Sequence, residues 1–269
     1  MATLKRFQTV YKFILTYFVM KFKSIYLVLT ALCLFSCKPA YRIAEMKGSI
    51  VEMNDSFDAT PHTQMQSLVQ SYKVRLDKEM NEVIGTSEQL MDYGRPESLL
   101  TNLTSDVMKA YADEHLPDGA DVAVMNVHGH RATMPKGPVT IGNLYEIYSF
   151  DNTITYLDLK GTDLKKMFDA YAHIGGAGIS SNVKLVIQDR KVKSVLIDGK
   201  PIDDNRLYSI VTLDYLAEGN DHMDAFRDAK KKTNSGITLR DIMIDFVKEK
   251  TRRGESISSR LDGRITLIP

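Results

Sequence analysis

Polar and aromatic residues able to bind a small anionic ligand are grouped in the middle of the chain. An apolar run, residues 122–125, predicts a buried strand that stops at Asn126, and Arg131 lies in the loop that follows. An arginine side chain stays charged and can form two hydrogen bonds to one carboxylate or phosphate. Phe150, a short distance downstream, offers a flat face for stacking. The pattern predicts a site for a planar, anionic ligand, but an ordinary strand–loop–helix crossover fits the same residues equally well.

Regular elements on both sides must hold these residues in place. Gly137-Pro138 is a turn signal, Thr140 can cap a short helix that ends near Ile147, and residues 153–159 alternate as a strand does. Apolar periodicity predicts the other elements, which are helices over residues 63–83, 96–111, 162–171 and 238–250 and strands over residues 49–52, 183–187, 192–197, 208–213 and 263–267. Helices come first, and strands then mix with helices and hairpins. The sequence therefore predicts an α+β fold, a mixed β-sheet flanked by helices, rather than a doubly wound parallel sheet.

The composition is that of a globular protein without a basic surface. The chain has 269 residues, of which 43% are hydrophobic and 26% charged. Its formal net charge is +1, but five of the 35 basic residues and none of the 34 acidic residues lie within the first 36 positions. The remainder has 30 basic and 34 acidic residues, a net charge of −4. We therefore expect no nucleic acid among the partners.

The first 37 residues resemble a secretory signal of the bacterial lipoprotein type. Lys21 and Lys23 precede an apolar run over residues 25–35, and Leu34-Phe35-Ser36-Cys37 resembles a lipobox. Cys37 then becomes the lipidated first residue of the mature chain, and Met20 offers a second possible start. An uncleaved membrane anchor is the alternative.

This signal leads to expectations about organisation and location. We expect a signal peptide with a lipobox over residues 1–37, a tether over residues 38–62 and one domain over residues 63–269. The mature chain should be attached to the membrane through its lipid, in the cell envelope and facing the periplasm. Because Cys33 falls within the signal, the mature protein should have neither a disulfide nor a cysteine metal site.

Six segments between residues 97 and 265 occur in the order that a known family shows. They are Glu97 with Asn102-Leu103 and Asp106, the loop Asn126-Val127-His128-Gly129-His130-Arg131, Ile141-Gly142-Asn143-Leu144-Tyr145-Glu146, Ser149-Phe150-Asp151-Asn152-Thr153, residues 157–164, and Tyr215-Leu216-Ala217 with Gly219-Asn220-Asp221. Each segment is a weak signal, but the ordered set resembles the C-terminal, substrate-recognition domain of the 5′-nucleotidase family.

The resemblance implies a binding site for a nucleotide or nucleoside. In such domains two aromatic rings clamp the base, and polar side chains hold the ribose and phosphates. Phe150 and Tyr215 match the two clamp positions, where stacking tolerates any base. The full set of substrate-binding residues that the resemblance implies is Asn126, Arg131, Phe150, Tyr215, Asp221 and Arg95.

Several residues depart from the family pattern. Val127 and His128 stand at glycine positions of the loop, His130 stands where isoleucine is usual, and Asn220 and His222 replace further glycines. Glycine lets the backbone approach a ligand closely, so these replacements can narrow the pocket, change the ligand or abolish binding. The two loop histidines can form a metal or phosphate site, or simply make ordinary hydrogen bonds.

No metal-binding pattern of the family's catalytic half is present. That half needs a two-metal centre built from several Asp and His motifs, and residues 38–96 are too few for it. Asp113-Glu114-His115 falls at a helix end instead of a strand end. Two other segments are not expected to be functional: the glycine-rich residues 174–178 as a tight turn, and Lys230-Lys231-Lys232 as an exposed helix end.

We therefore expect the substrate-recognition half of a 5′-nucleotidase, with no catalytic residue and no metal or other cofactor in this chain. Divalent metals are expected only in a separately encoded metallophosphoesterase subunit that completes the enzyme. A nucleoside-binding lipoprotein without hydrolytic role is the alternative, and a structural domain whose pocket has decayed is a third hypothesis.

Overall fold

The computed structural model describes residues 62–269 and, before them, residues 17, 19–20, 22–23, 41–52 and 54–56. The chain divides into two compact units, Met1–Pro61 and His62–Pro269. In the first unit residues 41–52 are exposed and form no strand, so the strand predicted over residues 49–52 is wrong. Cys37 and the apolar run over residues 25–35 lie outside the described residues. Among the described residues, no helix combines the length and the hydropathy that a membrane span requires.

The second unit contains all the longer helices and strands of the described residues. Its helices are α1 (Thr63–Met80), α2 (Leu99–His115), α3 (Ile141–Ile147), α4 (Gly161–His173), α5 (Asp214–Ala217) and α6 (Leu239–Arg252), with 3₁₀ turns at Val127–Gly129 and Asp224–Asp228. Its strands are β1 (Val83–Ser87), β2 (Val122–Met125), β3 (Gly137–Thr140), β4 (Thr153–Lys160), β5 (Gly178–Ile179), β6 (Val183–Gln188), β7 (Lys191–Ile197), β8 (Lys200–Pro201), β9 (Leu207–Leu213), β10 (Lys231–Thr238) and β11 (Ile265–Ile268).

The strands form three sheets that helices cover. A five-stranded sheet has the order β10-β4-β9-β2-β5, a four-stranded sheet has the order β11-β6-β7-β8, and β1 pairs with β3. β2 and β9 run parallel, as do β6 and β11, while the other pairs are antiparallel. α2 packs on β2 and β5, and α4 packs on β4 and β7. The predicted α+β class, with mixed sheets flanked by helices, is confirmed.

The pairing around β9 brings four chain segments to one edge of the five-stranded sheet. Ile154 near the start of β4 pairs with Leu213 at the end of β9. Since β2 runs parallel to β9, its last residue Met125 also points to this edge, and Met125 pairs with Gly178 at the start of β5. We call this the site edge: the ends of β2 and β9 and the starts of β4 and β5.

Residues at the start of α2 form hydrogen bonds to the C-terminal part of the second unit. Ser98 caps the helix in a reciprocal pair with Thr101. The carboxylate of Glu97 accepts hydrogen bonds from the Asn102 side chain and the Asp262 amide, both at 2.7 Å, and Asn102 also donates to a backbone carbonyl at residue 260. Glu97 and Asn102, which match an acidic and an amide position of the family pattern, therefore have a structural role.

Arg264 completes this connection with a buried ion pair. Its guanidinium, 2% exposed, donates to both carboxylate oxygens of Asp106 at 2.9 Å and to Asp262 at 2.8 and 3.0 Å. It also donates to the carbonyl of Ile179 at 2.8 Å, at the end of β5. Two acidic side chains and a strand terminus are thus fixed by one cation.

Two predicted segments differ from the structure. α1 ends at Met80, and Val83 belongs to β1, which pairs with β3. None of the residues of α1 is buried, although its apolar residues have helical spacing. Lys231 and Lys232 lie in the edge strand β10 instead of at a helix end. The pairing partners of β1 and β10 are distant in sequence, so periodicity within each segment could not reveal them.

One hairpin turn lies between the strands predicted over residues 183–187 and 192–197, and the next lies at Asp198-Gly199, a dipeptide typical of such turns. Asp189 and Arg190 both have positive φ (49° and 59°), and so do Asp198 and Gly199 (51° and 74°). Two consecutive left-handed residues match the twist of the antiparallel strands that they join. The turns therefore fix the register of β6, β7 and β8.

Replacing Arg264 should destabilise the domain. Arg264→Ala leaves Asp106 and Asp262 without their shared cation, and losing one partner of a fully buried ion pair costs roughly 3–5 kcal/mol. Because 39% of the Asp106 side chain is exposed to solvent, we expect the free energy of unfolding in urea to fall by an amount at the lower end of this range.

Arg260→Ala is the matched control, because the side chain of Arg260 is exposed. Exposed substitutions of this kind change stability by about 0.5 kcal/mol or less. Equal effects of the two substitutions would contradict the structural role of Arg264.

Candidate functional site

Three polar side chains meet at the site edge. Asn126 directly follows β2, and its Nδ2 donates to Oδ2 of Asp221 at 2.6 Å. The Tyr215 hydroxyl donates to Oδ1 of the same carboxylate at 3.1 Å. This hydrogen bond and the negative charge of Asp221 raise the pKa of Tyr215. Residues that are far apart in sequence thus form one hydrogen-bonded group.

Arg131 and Phe150 form a second group. The Arg131 guanidinium lies over the Phe150 ring, 5.6 Å from its centre. The Arg131 amide donates to the Ile147 carbonyl at 2.9 Å, so the loop after β2 is attached to α3. Phe150 is 49% exposed and Tyr215 is 42% exposed. Both rings therefore keep surface with which a planar ligand can stack.

The strands hold the two groups on the same edge. Phe150 lies three residues before β4, and Tyr215 lies two residues after β9. These strand ends are neighbours, and Thr153 Oγ1 donates to the Asp214 carboxylate at 3.0 Å. Sheet pairing and this hydrogen bond fix the backbone positions from which both aromatic side chains extend.

A cavity of about 200 Å³ lies beside the first group. Its polar lining comes from Arg95, Asn126, His128, Tyr171, Asp221 and His222. Arg131, Phe150 and Tyr215 are not among its lining residues. Pockets for whole drug-sized ligands measure about 300–1,000 Å³. The cavity therefore suits one part of a nucleotide, with both rings outside it.

The glycine-rich segment beside this cavity ends α4. The Gly176 amide donates to the Tyr171 carbonyl at 2.8 Å, and the Gly175 amide donates to residue 172 at 3.2 Å. Gly176 has a φ of 99°, and a Cβ there would lie 2.6 Å from the Pro96 carbonyl oxygen. The segment is the tight turn that the sequence predicts. It packs against Pro96, next to Arg95 at the cavity.

The two loop histidines have different surroundings. His128 is exposed and lines the cavity. His130 is buried, with Nε2 2.8 Å from the Thr104 hydroxyl and Nδ1 3.1 Å from the Val127 carbonyl oxygen. The Thr104 hydroxyl also lies 2.7 Å from that of Tyr148. His130 therefore anchors the loop in the core, and only His128 faces the site.

Burial determines the protonation of His130. Removal from water lowers the pKa of His130 to about 4, although its hydrogen bond to Val127 acts in the opposite direction. The ring is therefore neutral near pH 7 and can accept one hydrogen bond and donate another.

Gly129 retains its glycine for a steric reason. A Cβ at this position would lie 2.6 Å from Oδ1 of Asn126. Any larger residue would displace the amide that binds Asp221.

Two consecutive residues of the loop after α5 have left-handed backbone conformations. Asp221 has a φ of 54° and His222 a φ of 67°. Non-glycine residues in this region cost roughly 1–2 kcal/mol each. Asp221 is a predicted site residue, whereas no role was predicted for His222 or Tyr171, which also line the cavity. The only sequence signal for His222 is that it replaces a glycine of the family pattern.

Within the described residues there is no group of three or more His, Cys, Asp or Glu side chains arranged to hold a metal ion. The positions predicted for substrate binding instead contribute hydrogen-bond donors, one carboxylate and two aromatic rings. This arrangement suits recognition of a flat, hydroxyl-bearing and anionic molecule.

The chain is similar in sequence to a protein family and to several known proteins. A family model described as 5′-nucleotidase, C-terminal domain, matches residues 83–228. Protein UshA of Yersinia enterocolitica is 28% identical over 184 residues, which are 67% of this chain and 32% of that protein. Protein UshA of Escherichia coli is 25% identical over 196 residues, which are 70% of this chain and 35% of that protein. The chain spans about a third of the length of these curated relatives.

A solved structure has the same fold. The 5′-nucleotidase precursor from Thermus thermophilus superposes with a TM-score of 0.66 at 24% identity. The match covers 78% of this chain and 44% of that protein. At this identity the similarity establishes the fold.

The buried histidine predicts a pH dependence of stability. The pKa of His130 is lower in the folded state than its ordinary value of 6.5, so below pH 6.5 the unfolded state binds more protons. Stability is present above pH 6.5 and is lost as the pH falls towards 4. From pH 7 to 4, we expect wild type to lose about 3 kcal/mol more unfolding free energy than His130→Gln.

Urea unfolding at a series of pH values measures this difference. His128→Gln, at the exposed histidine of the same loop, should follow wild type. Parallel pH profiles for wild type and His130→Gln would contradict the burial of a neutral imidazole.

Proposed function

The chain belongs to the 5′-nucleotidase C-terminal domain family, and from this premise we propose that its site edge binds the nucleoside part of a nucleotide. The observation that carries the proposal is the shared carboxylate of Asp221, which accepts from both Asn126 and Tyr215. It places an acceptor for sugar hydroxyls next to an exposed aromatic ring. A nucleoside requires these two features side by side.

Each predicted residue has a distinct role in this proposal. Phe150 and Tyr215 stack on the base, and Arg131 holds the Phe150 ring through the contact between its guanidinium and the ring. Asp221 binds the ribose, because each carboxylate oxygen has a further lone pair beyond the one already used.

Arg95 is suited to bind the anionic part of the ligand. It lines the cavity together with Asn126 and Asp221. An arginine can form two hydrogen bonds to one phosphate, and it keeps its charge at every physiological pH. Phosphate binding in the cavity next to the ribose is consistent with the size of that cavity.

We also propose that the phosphate is cleaved by metals outside the described residues. Hydrolysis of a phosphate ester at such sites uses two metal ions that clamp the attacking and leaving oxygens. The resemblance of the sequence favours a metallophosphoesterase on a separate polypeptide. Lipid attachment at Cys37 and a location in the cell envelope are further proposals that rest on the sequence signal.

Loss of either aromatic ring should weaken nucleoside binding. Base stacking on an aromatic side chain contributes about 1–3 kcal/mol, which corresponds to roughly 5- to 150-fold in the dissociation constant. We expect Phe150→Ala and Tyr215→Ala each to lower the affinity for adenosine and AMP within this range, measured by isothermal titration calorimetry.

Two further variants make this experiment specific. Tyr72→Ala removes another exposed ring, from α1, and should bind like wild type. Tyr215→Phe keeps the ring and removes only the hydroxyl that donates to Asp221, so it should retain most of the affinity that Tyr215→Ala loses. If wild type bound neither nucleosides nor nucleotides with any common base, the proposed function would be wrong.

The purified chain should not hydrolyse AMP by itself. Phosphate release with Mg²⁺, Mn²⁺ or Zn²⁺ added should equal the rate without protein, since the proposed metal site belongs to another domain. Addition of a metallophosphoesterase encoded by a neighbouring gene should give hydrolysis of AMP. The substitution Asp221→Asn should reduce the rate of this hydrolysis. Metal-dependent hydrolysis by the chain alone would contradict the separation of binding from catalysis.

A further inference from the structure

The segment that carries Phe150 forms neither a helix nor a strand. Residues 148–152, which we call the aromatic segment, connect the end of α3 to the start of β4. Phe150 lies in the middle of the segment with half of its surface exposed. Exposed connections of this kind are more mobile than the elements that they join. A ring that stacks on a base therefore needs contacts that hold its backbone from outside the segment.

The start of α6 holds the aromatic segment on both sides of the ring. Nη1 of Arg240 donates to the Tyr148 carbonyl at 2.9 Å, and Nη2 of the same guanidinium forms an ion pair with Asp151. The Leu239 amide donates to the Asn152 carbonyl at 2.9 Å. Two of these three contacts come from one side chain, which thus bridges the residues on either side of the ring.

We propose that Arg240 is a positioning residue that holds the Phe150 ring where it can stack on a nucleobase. This inference rests on the proposed function, because that function places the base against Phe150. Arg240 acts through the aromatic segment and does not contact the ligand itself. A loop that is already fixed in its binding conformation loses less entropy when the ligand binds. The affinity for a base-bearing ligand should therefore depend on Arg240.

The chemistry of arginine suits this role. The N–H groups of a guanidinium point in several fixed directions, so one side chain can donate to a carbonyl and to a carboxylate at the same time. Cζ of Arg240 also lies 4.2 Å from the centre of the Tyr145 ring, in α3. The guanidinium is therefore in contact with the helix that precedes the aromatic segment as well as with the segment itself.

The partners of Arg240 favour positioning over a gain in stability. Arg240 is buried, yet its Nε has no hydrogen-bond partner among the described residues. The Asp151 side chain is 79% exposed, and ion pairs with exposed groups contribute little to stability. Arg264, by contrast, donates to two acidic side chains and a carbonyl. Because a buried cation with incomplete hydrogen bonding is costly, we connect the presence of Arg240 with the segment that it holds.

A fluorescent ring at position 150 tests the proposal in the ligand-free full chain. The chain contains no tryptophan, so Phe150→Trp introduces a single indole. Combining Phe150→Trp with Arg240→Ala should lower the fluorescence anisotropy of this indole, because the aromatic segment becomes more mobile. Combining it with Lys248→Ala, at an exposed residue of the same helix, should leave the anisotropy unchanged.

Calorimetry with AMP tests the consequence for binding. Arg240→Ala should weaken AMP binding about fivefold, the lower end of a stacking contribution, because the ring is displaced but still present. In the Phe150→Ala background the same substitution should have almost no further effect on affinity, since no ring is left to position. Lys248→Ala should bind AMP like wild type.

Asp151→Ala is the second variant, and it keeps the test valid if Arg240→Ala does not fold. It removes one of the two Arg240 contacts at an exposed side chain, so the core stays intact. In the Phe150→Trp chain it should lower the anisotropy, and in the wild-type chain it should weaken AMP binding.

The possible results separate this inference from the proposed function. If wild type binds AMP but neither Arg240→Ala nor Asp151→Ala changes the anisotropy or the affinity, Arg240 has no positioning role and the proposed function stands. Equal losses of affinity from Arg240→Ala in the wild-type and Phe150→Ala backgrounds would show a general effect on the fold and would also overturn the inference. If wild type binds no AMP, the proposed function fails and this inference fails with it.

Discussion

The hydrogen-bonded register of β9 between β4 and β2 is the constraint on which the site depends. β9 runs parallel to β2 and antiparallel to β4, so the ends of two strands and the start of a third lie together. Asn126, Phe150 and Tyr215 extend from these three positions. A shift of one residue in either pairing would turn the side chains to opposite faces of the sheet and separate the groups. The local sequence around each of these residues cannot bring them together without the strand pairing.

The loop after β2 shows how the core positions residues that face solvent. His130 points inward to Thr104 and Tyr148, while its neighbour Arg131 points outward over Phe150. The family pattern has an apolar residue at the position of His130. The imidazole of His130 is neutral and fully hydrogen-bonded, so it packs in the core as an apolar side chain would. A buried polar network also fixes one orientation, because only one arrangement satisfies all of its hydrogen bonds.

Much of the fold and part of the site could be predicted from sequence. The helix start at Thr140 follows from capping chemistry, and the turns at residues 189–190 and 198–199 follow from local signals. The start of α2 was predicted at Pro96, but the helix begins at Leu99, after the N-cap Ser98. The grouping of Asn126 with Asp221 could be inferred only from a family pattern, because a single sequence does not reveal which strands pair. The position of His222 at the cavity was not predicted. It depends on where the loop after α5 meets the end of α4, and the periodicity of a single segment does not reveal such a contact.

The contact between Asp106 and Arg264 joins residues separated by 158 positions in the chain. Until residue 264 has been synthesised, α2 lacks its buried cation and β6 lacks its parallel partner β11. Contacts between such distant residues slow folding, since a long loop must close before the contact forms. The domain should therefore remain incompletely folded for most of its synthesis.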